Sequence, residues 1–168
     1  EPRDSSVAHR AAGSLLGSIW ADPSDTVRVE AAEMAGRLEL DEAAPNLLEI
    51  VRDGSSSESV RTAALAALSD LNDDQRLSEA VNSALASERE RLRQQAIGLM
   101  SELDVPDAEM VRLYEQILEN GTMGQQQSAL RAVGRLDTPE AHRLLETWLD
   151  RLIEGTVDPA LQLDLVLA

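Results

Sequence analysis

Every 32 or 33 residues the chain returns to the same pattern. The clearest copy is Val60-Arg61-Thr62-Ala63-Ala64-Leu65, running on through Leu68 to Leu71, and the other copies begin at Val27, Leu92 and Gln125. Four residues after these starts stand Ala31, Ala64, Ala96 and Ala129; one further on stand Ala32, Leu65, Ile97 and Leu130. Eleven after the starts stand Leu38, Leu71, Leu103 and Leu136. Offsets of four, seven or eight, and eleven share one face of an α-helix. Each copy therefore predicts a helix with one apolar stripe, and the constant alanine lets a second helix approach closely. A period of this length means stacked helix pairs, each burying its face only against its neighbours, and not a single globular core.

Laid out in this register, residues 5–20 read as the second helix of a truncated pair. Complete pairs, each an A helix followed by a B helix, are expected at 24–53, 57–86, 88–119 and 123–153, with a further helix starting at 159–168. The whole, 1–168, reads as one repeat domain cut from a longer multidomain protein. The first A helix is expected to end near Leu38, and its B helix to start between Asp41 and Pro45 with Leu47, Leu48, Ile50 and Val51 as its core face. The later B helices carry Leu77, Ala80, Val81, Ala84 and Leu85; then Met110, Leu113, Tyr114, Ile117 and Leu118; then Leu144, Leu145, Trp148, Leu149 and Leu152. Ser24 or Asp25, Thr138 and Asp158 are the expected N-caps, the last two followed by Pro at the first helical position. Gly121 suits a C′ position, and Gly155 ends the last B helix.

In the final helix, Leu161, Leu165 and Ala168 share one face and are expected to pack on the repeat containing Trp148. Leu163 and Leu167 fall on the other side, with nothing left in this chain to cover them. A terminal repeat ordinarily shows a polar outer face, so the protein is expected to continue past Ala168 with a segment that covers these two leucines.

Charge and composition narrow the function classes. All 15 basic residues are Arg, against 31 acidic ones, for a net charge of −16. That balance argues against nucleic-acid binding and against anionic membranes, and suits steering toward basic partners. The absence of Cys excludes disulfides, thiolate metal sites, thioether-linked haem and cysteine catalysis within these residues. No apolar run reaches transmembrane length, no signal peptide is present, and no stretch shows sustained strand alternation.

No residue is assigned a catalytic, cofactor-binding or metal-binding role. His9 and His142 lie on different helices at opposite ends of the repeat array and read as surface histidines. Asp70, Asp73 and Asp74 are a weak candidate for a divalent cation. Ser55-Ser56-Ser57 reads as a turn, since no base is near it in sequence. Arg89, Arg91 and Arg93 form the one basic cluster, to be held by neighbouring carboxylates or used for docking. Trp20 and Trp148 each come late in a B helix, where packing between repeats is the expected role and a partner-facing ring the alternative.

The repeats resemble short HEAT repeats. The likeness rests on Asp25-x-Val27-Arg28-x-x-Ala31-Ala32, Glu58-x-Val60-Arg61-x-x-Ala64-Leu65 and Glu90-x-Leu92-Arg93-x-x-Ala96-Ile97. It implies an all-α, right-handed α-α superhelix with B helices on the concave side. It also implies that Asp25 with Arg28, Glu58 with Arg61 and Glu90 with Arg93 support the turns. The fourth copy departs from the pattern, with Met123 and Gln126 at those places.

A narrower likeness runs from Arg76-Leu77-Ser78-Glu79-Ala80-Val81 through Gly124–Leu130, Pro139-Glu140-Ala141 and Trp148-Leu149-Asp150 to Pro159–Leu165. These stretches resemble the HEAT segment of large exported proteins of planctomycete-type bacteria, similar to membrane-bound or sorbosone/glucose dehydrogenases. In that family a propeller-like dehydrogenase domain precedes the segment and a c-type haem domain with Cys-x-x-Cys-His follows it. The resemblance implies a periplasmic or exported setting and haem c elsewhere in the parent protein, with no cofactor in these residues. The expected role is a non-catalytic scaffold, spacer and protein-docking segment without membrane insertion. The alternative is a stand-alone protein-interaction module unrelated to redox chemistry.

Overall fold

A computed structural model describes residues 19–71 and 73–168. Among the described residues there are α-helices and short 3-10 turns and no strands. The helices are α1 (Asp25–Arg37), α2 (Ala44–Arg52), α3 (Glu58–Ser69), α4 (Asp74–Leu85), α5 (Glu90–Leu99), α6 (Asp107–Asn120), α7 (Met123–Val133), α8 (Pro139–Ile153) and α9 (Pro159–Leu167). The expected helix at residues 5–20, with His9, lies almost wholly outside the described residues. Two compact units are present, Glu1–Leu92 and Arg93–Ala168.

In the first unit α1 packs chiefly on α3, and α2 packs on both α3 and α4. In the second unit α7 packs on α9, and α6 packs on both α7 and α8. Both units thus follow one rule: an A helix lies on the next A helix and a B helix on the next B helix, and α2, α6 and α8 also meet the A helix that follows them. The recurring alanines make this possible. Ala31, Ala64, Ala96 and Ala129 are all buried.

Glycine brings two of these contacts closer still. A Cβ added to Gly36 on α1 would stand 2.7 Å from Asp70 Oδ2 and 3.1 Å from Ala67 Cα. In the second unit a Cβ on Gly134, just after α7, would stand 2.6 Å from Ala168 Cα. Both glycines lie five residues after their repeat's alanine.

Local chemistry sets the helix ends. Thr122 caps α7 in a capping box with Gln125, Thr138 Oγ1 accepts from Ala141 N at 3.2 Å, and Asp158 Oδ1 accepts from Ala160 N at 2.8 Å. Each side-chain oxygen satisfies a backbone N–H that the helix itself leaves unpaired. Ser24 is the N-cap of α1 but makes no side-chain capping bond. Gly155 takes φ +73 after α8, as expected. Gly121 differs: it is extended, with φ −76, and its lack of a side chain matters because a Cβ would lie 2.5 Å from Ile117 O.

Leu38 is not in the core. The α1 helix stops at Arg37, Glu39 takes φ +49, and the chain turns Leu40 inward instead. Leu38 is left 52% exposed. Leu113 and Leu149 are also partly exposed, each at 38%. The buried stripes run Met110-Val111-Tyr114-Leu118 on α6 and Ala141-Leu144-Trp148 on α8, and each exposed leucine falls about 100° past such a stripe. On α9 the expected division holds: Leu161 and Leu165 are buried, while Leu163 and Leu167 are 69% and 75% exposed, beside exposed Val166. The buried side packs on α7 and α8.

Candidate docking surfaces

The polar position one residue after the start of each repeat copy ties the turns together. Arg28 Nη1 donates to Ser56 Oγ at 3.3 Å, and Arg61 Nη1 donates to Ser87 Oγ at 3.2 Å. In both cases the arginine of one A helix reaches the turn that precedes the next A helix. Arg61 also reaches backward, Nε donating to Val51 O at 2.9 Å near the end of α2. In the fourth copy Gln126 Nε2 donates to Leu118 O at 2.6 Å near the end of α6. Glutamine therefore performs the backward half of the arginine's task, and the departure in sequence leaves that contact in place.

The acidic partners behave less uniformly. Asp25 pairs with Arg28 at 2.5 Å, and the Ser57 hydroxyl together with Arg28 holds its carboxyl below the usual carboxylate range. Glu58 does not pair with Arg61. Its Oε1 accepts from Arg91 N, 33 residues on, at 3.1 Å, while Arg61 is committed to the two oxygens already described. The turn is supported by reaching across repeats instead of by a pair within one.

The serine run is a turn, as expected. Asp53 Oδ1 accepts from Ser55 N at 2.9 Å and from Ser55 Oγ at 2.6 Å, and Asp53 Oδ2 accepts from buried Ser56 Oγ at 2.8 Å. These donors, Ser55 first, pull the Asp53 carboxyl down to about 2. Asp73 caps α4 through Arg76 N at 3.0 Å and pairs with the Arg76 guanidinium. Asp70 lies at the end of α3 against Gly36, and Asp74 is exposed on α4. Among the described residues no group of three or more His, Asp or Glu side chains is placed to hold a metal ion. His142 is exposed, with Nε2 3.6 Å from Asp137 Oδ1.

Trp148 is buried, its indole N–H without an acceptor among the described residues, and the Arg151 guanidinium lies 4.8 Å from its ring centre. Arg151 also pairs with Glu119 at 2.6 Å. The ring packs between repeats. Tyr114 is fully buried, its hydroxyl donating to Ile97 O at 3.2 Å, and burial pushes its pKa up to about 12.

The surface offers two sites of different character. Between the B helices α6 and α8 a groove of about 340 Å³ has Val111 and Leu144 at its floor and Arg112, Glu115, Arg143 and Thr147 on its rims. In the first unit a polar cavity of about 570 Å³ is walled by Arg52, Arg61, Arg89, Ser83, Ser87 and Glu88. The linear order groups Arg89 with Arg91 and Arg93; the fold places Arg89 in the wall of one cavity with Arg52 and Arg61.

A family profile described as HEAT repeats matches residues 13–101, a little over half of the chain. The chain belongs to the HEAT-repeat family. HEAT repeats serve as protein-interaction scaffolds, and the arginine tethers above are how this HEAT chain locks one turn to the next. Neither a curated protein nor a solved structure matches this HEAT chain. Among the described residues no helix is long and apolar enough to cross a membrane.

Proposed function

We propose that this HEAT segment is a non-catalytic docking scaffold whose B-helix groove between α6 and α8 takes a segment of a partner protein. The observation that carries the reading is the groove itself: an apolar floor of Val111 and Leu144 between rims that present both charge signs, Arg112 and Arg143 against Glu115 and Glu140. Such a surface suits an amphipathic peptide better than a polyanion. The net charge of −16 supports the same choice and speaks against nucleic acid. Panning a random peptide library on the chain tests this. Peptides selected on the wild type should lose at least about tenfold in affinity with Arg143→Glu, and should be indifferent to Asp41→Lys in the first unit. Selected peptides that ignore Arg143→Glu would remove the groove from consideration.

The wider setting we propose is a spacer inside a large exported, dehydrogenase-like protein whose haem c is carried by another domain. What supports it is the residue likeness from Arg76 to Leu165 described above. In that setting the exposed face of α9, with Leu163, Val166 and Leu167, is the surface against which a neighbouring domain would rest. Reading the parent gene downstream for Cys-x-x-Cys-His tests the setting directly; its absence there would leave the scaffold without a redox context.

A further inference from the structure

We infer that the cavity walled by Arg52, Arg61 and Arg89 is a binding site for a carboxylate monoanion. Three arginines line it from separate elements, the end of α2, the first turn of α3 and the residue before α5, in a chain that carries −16. The repeat architecture does not demand this. At the corresponding place in the second unit a cavity of about 550 Å³ carries Gln126 where Arg61 stands, and its other charged walls are Glu119, Arg151, Glu154 and Asp158. Gln126 makes the structural bond to the preceding B helix as well as Arg61 does. A neutral side chain thus suffices for the bond to the preceding B helix, and that bond does not call for Arg61's charge.

Arg61 has capacity left over. It is 6% exposed, and its bonds to Val51 O and Ser87 Oγ use two of the five guanidinium N–H groups. The other three make no bond among the described residues, on a side chain that forms a wall of the cavity. Arg89 makes no ion pair among the described residues; its backbone N–H donates to Ser87 Oγ at 3.2 Å. Ser83 also lines the cavity.

Charge balance selects the ligand. Arg52 is paired with Glu79 at 2.6 Å, and Glu88 stands in the wall. With Arg52 offset by Glu79, and Glu88 set against one of the two remaining arginines, one positive charge is left. That matches a carboxylate, whose two oxygens fit a guanidinium fork, and leaves a phosphate dianion facing Glu88 without full compensation. The carboxylate comes either from a free small acid or from an acidic side chain of a docked protein. The second source rests on the scaffold reading above; the site itself does not.

The test follows the Arg61 Nε–H signal in two-dimensional NMR of the full 168-residue chain at constant low ionic strength, identified by its loss in Arg61→Gln. Acetate should shift it saturably, more tightly than inorganic phosphate does. Arg89→Gln should weaken the effect by about tenfold, and Arg151→Gln should leave it unchanged. No saturable shift, tighter binding of phosphate, or indifference to Arg89→Gln would each overturn the inference. A blocked Glu-containing peptide that binds more tightly than acetate assigns the carboxylate to a protein partner, and one that binds equally assigns it to a free acid. Loss of the acetate response with peptide binding at the α6–α8 groove intact would sink this inference alone.

Discussion

Gly36 on α1 lies against Ala67 on α3 so closely that a single added carbon would come within 3.1 Å of the Ala67 backbone. The same carbon would meet Asp70 Oδ2 at 2.7 Å. Gly36→Ala should therefore push two stacked A helices apart and cost about 1–3 kcal/mol. Gly98 on α5 is the control: nothing stands within 4 Å of its added carbon, so Gly98→Ala should gain roughly 0.5–1 kcal/mol from helix propensity alone. Thermal or urea melts of the two variants should move in opposite directions; a shared direction would remove close approach as the reason for Gly36.

Arg61 and Gln126 predict a graded response. Arg61→Met leaves Val51 O without its Arg61 donor inside the first unit, at about 1–3 kcal/mol. Arg61→Gln keeps a donor that can reach Val51 O, as Gln126 reaches Leu118 O, and should recover a good part of that loss. Equal destabilisation by both variants would mean that the charge, and not the bond to the preceding helix, is what α3 needs.

Tyr114 is the chain's one tyrosine, so absorbance near 295 nm reads it alone. Burial raises its folded pKa to about 12 from the ordinary 10.0. A raised folded pKa contributes stability that is complete below pH 10 and is lost as the pH climbs through about 12. The phenol should titrate near 12 in the folded chain and near 10 in denaturant. A folded midpoint near 10 would place the ring in contact with water.

Asp53 makes the opposite prediction at acid pH. Its serine donors lower the carboxyl to about 2 from 3.8, so its contribution is present above about pH 4 and disappears as the pH falls through about 2. Carboxyl-detected NMR should place its midpoint near 2. The stability gap between wild type and Asp53→Asn should narrow over that same window, and a gap that is constant from pH 6 to pH 2 would contradict the hydrogen-bonded turn.

On α9, Leu163→Glu with Leu167→Glu should leave the melting temperature of the chain within error, because both side chains already face water. Leu161→Ala, by contrast, empties a buried position against α7 and α8 and should cost about 2–5 kcal/mol. If the double variant destabilises as much as Leu161→Ala, the outer face of α9 is packed in solution.

The helices and their pairing were legible because one period governs them. Ala64 and its counterparts mark the buried stripe, and Thr138-Pro139 and Asp158-Pro159 mark helix starts by local chemistry. What escaped was whatever depends on a single turn or on convergence. Leu38 matched the stripe by spacing, yet one residue with φ +49, Glu39, handed its place to Leu40. Glu58 had the right spacing to pair with Arg61, but the carboxylate found a backbone N–H in the next repeat. Arg52, Arg61 and Arg89 lie on three elements with no common spacing, so nothing in the linear order announces that they share a cavity. The α6–α8 groove is hidden for a similar reason: its floor is a product of how two B helices lie, and neither helix alone encodes it.

The tethers at a separation of 33 residues, Arg91 N to Glu58, Gln127 to Ala160 and Arg131 to Asp164, bear on how the protein is made. Each closes a loop of about one repeat, and the entropic cost of closure grows only as the logarithm of loop length, about 0.6 kcal/mol per doubling. A chain wired this way has low contact order and does not need its two ends to meet before structure pays off. During synthesis, Glu58 waits only until Arg91 has left the ribosome, and a repeat can dock while the next but one is still being translated. Vectorial assembly of this kind keeps the apolar stripe of each new helix uncovered only for the time that one further repeat takes to emerge.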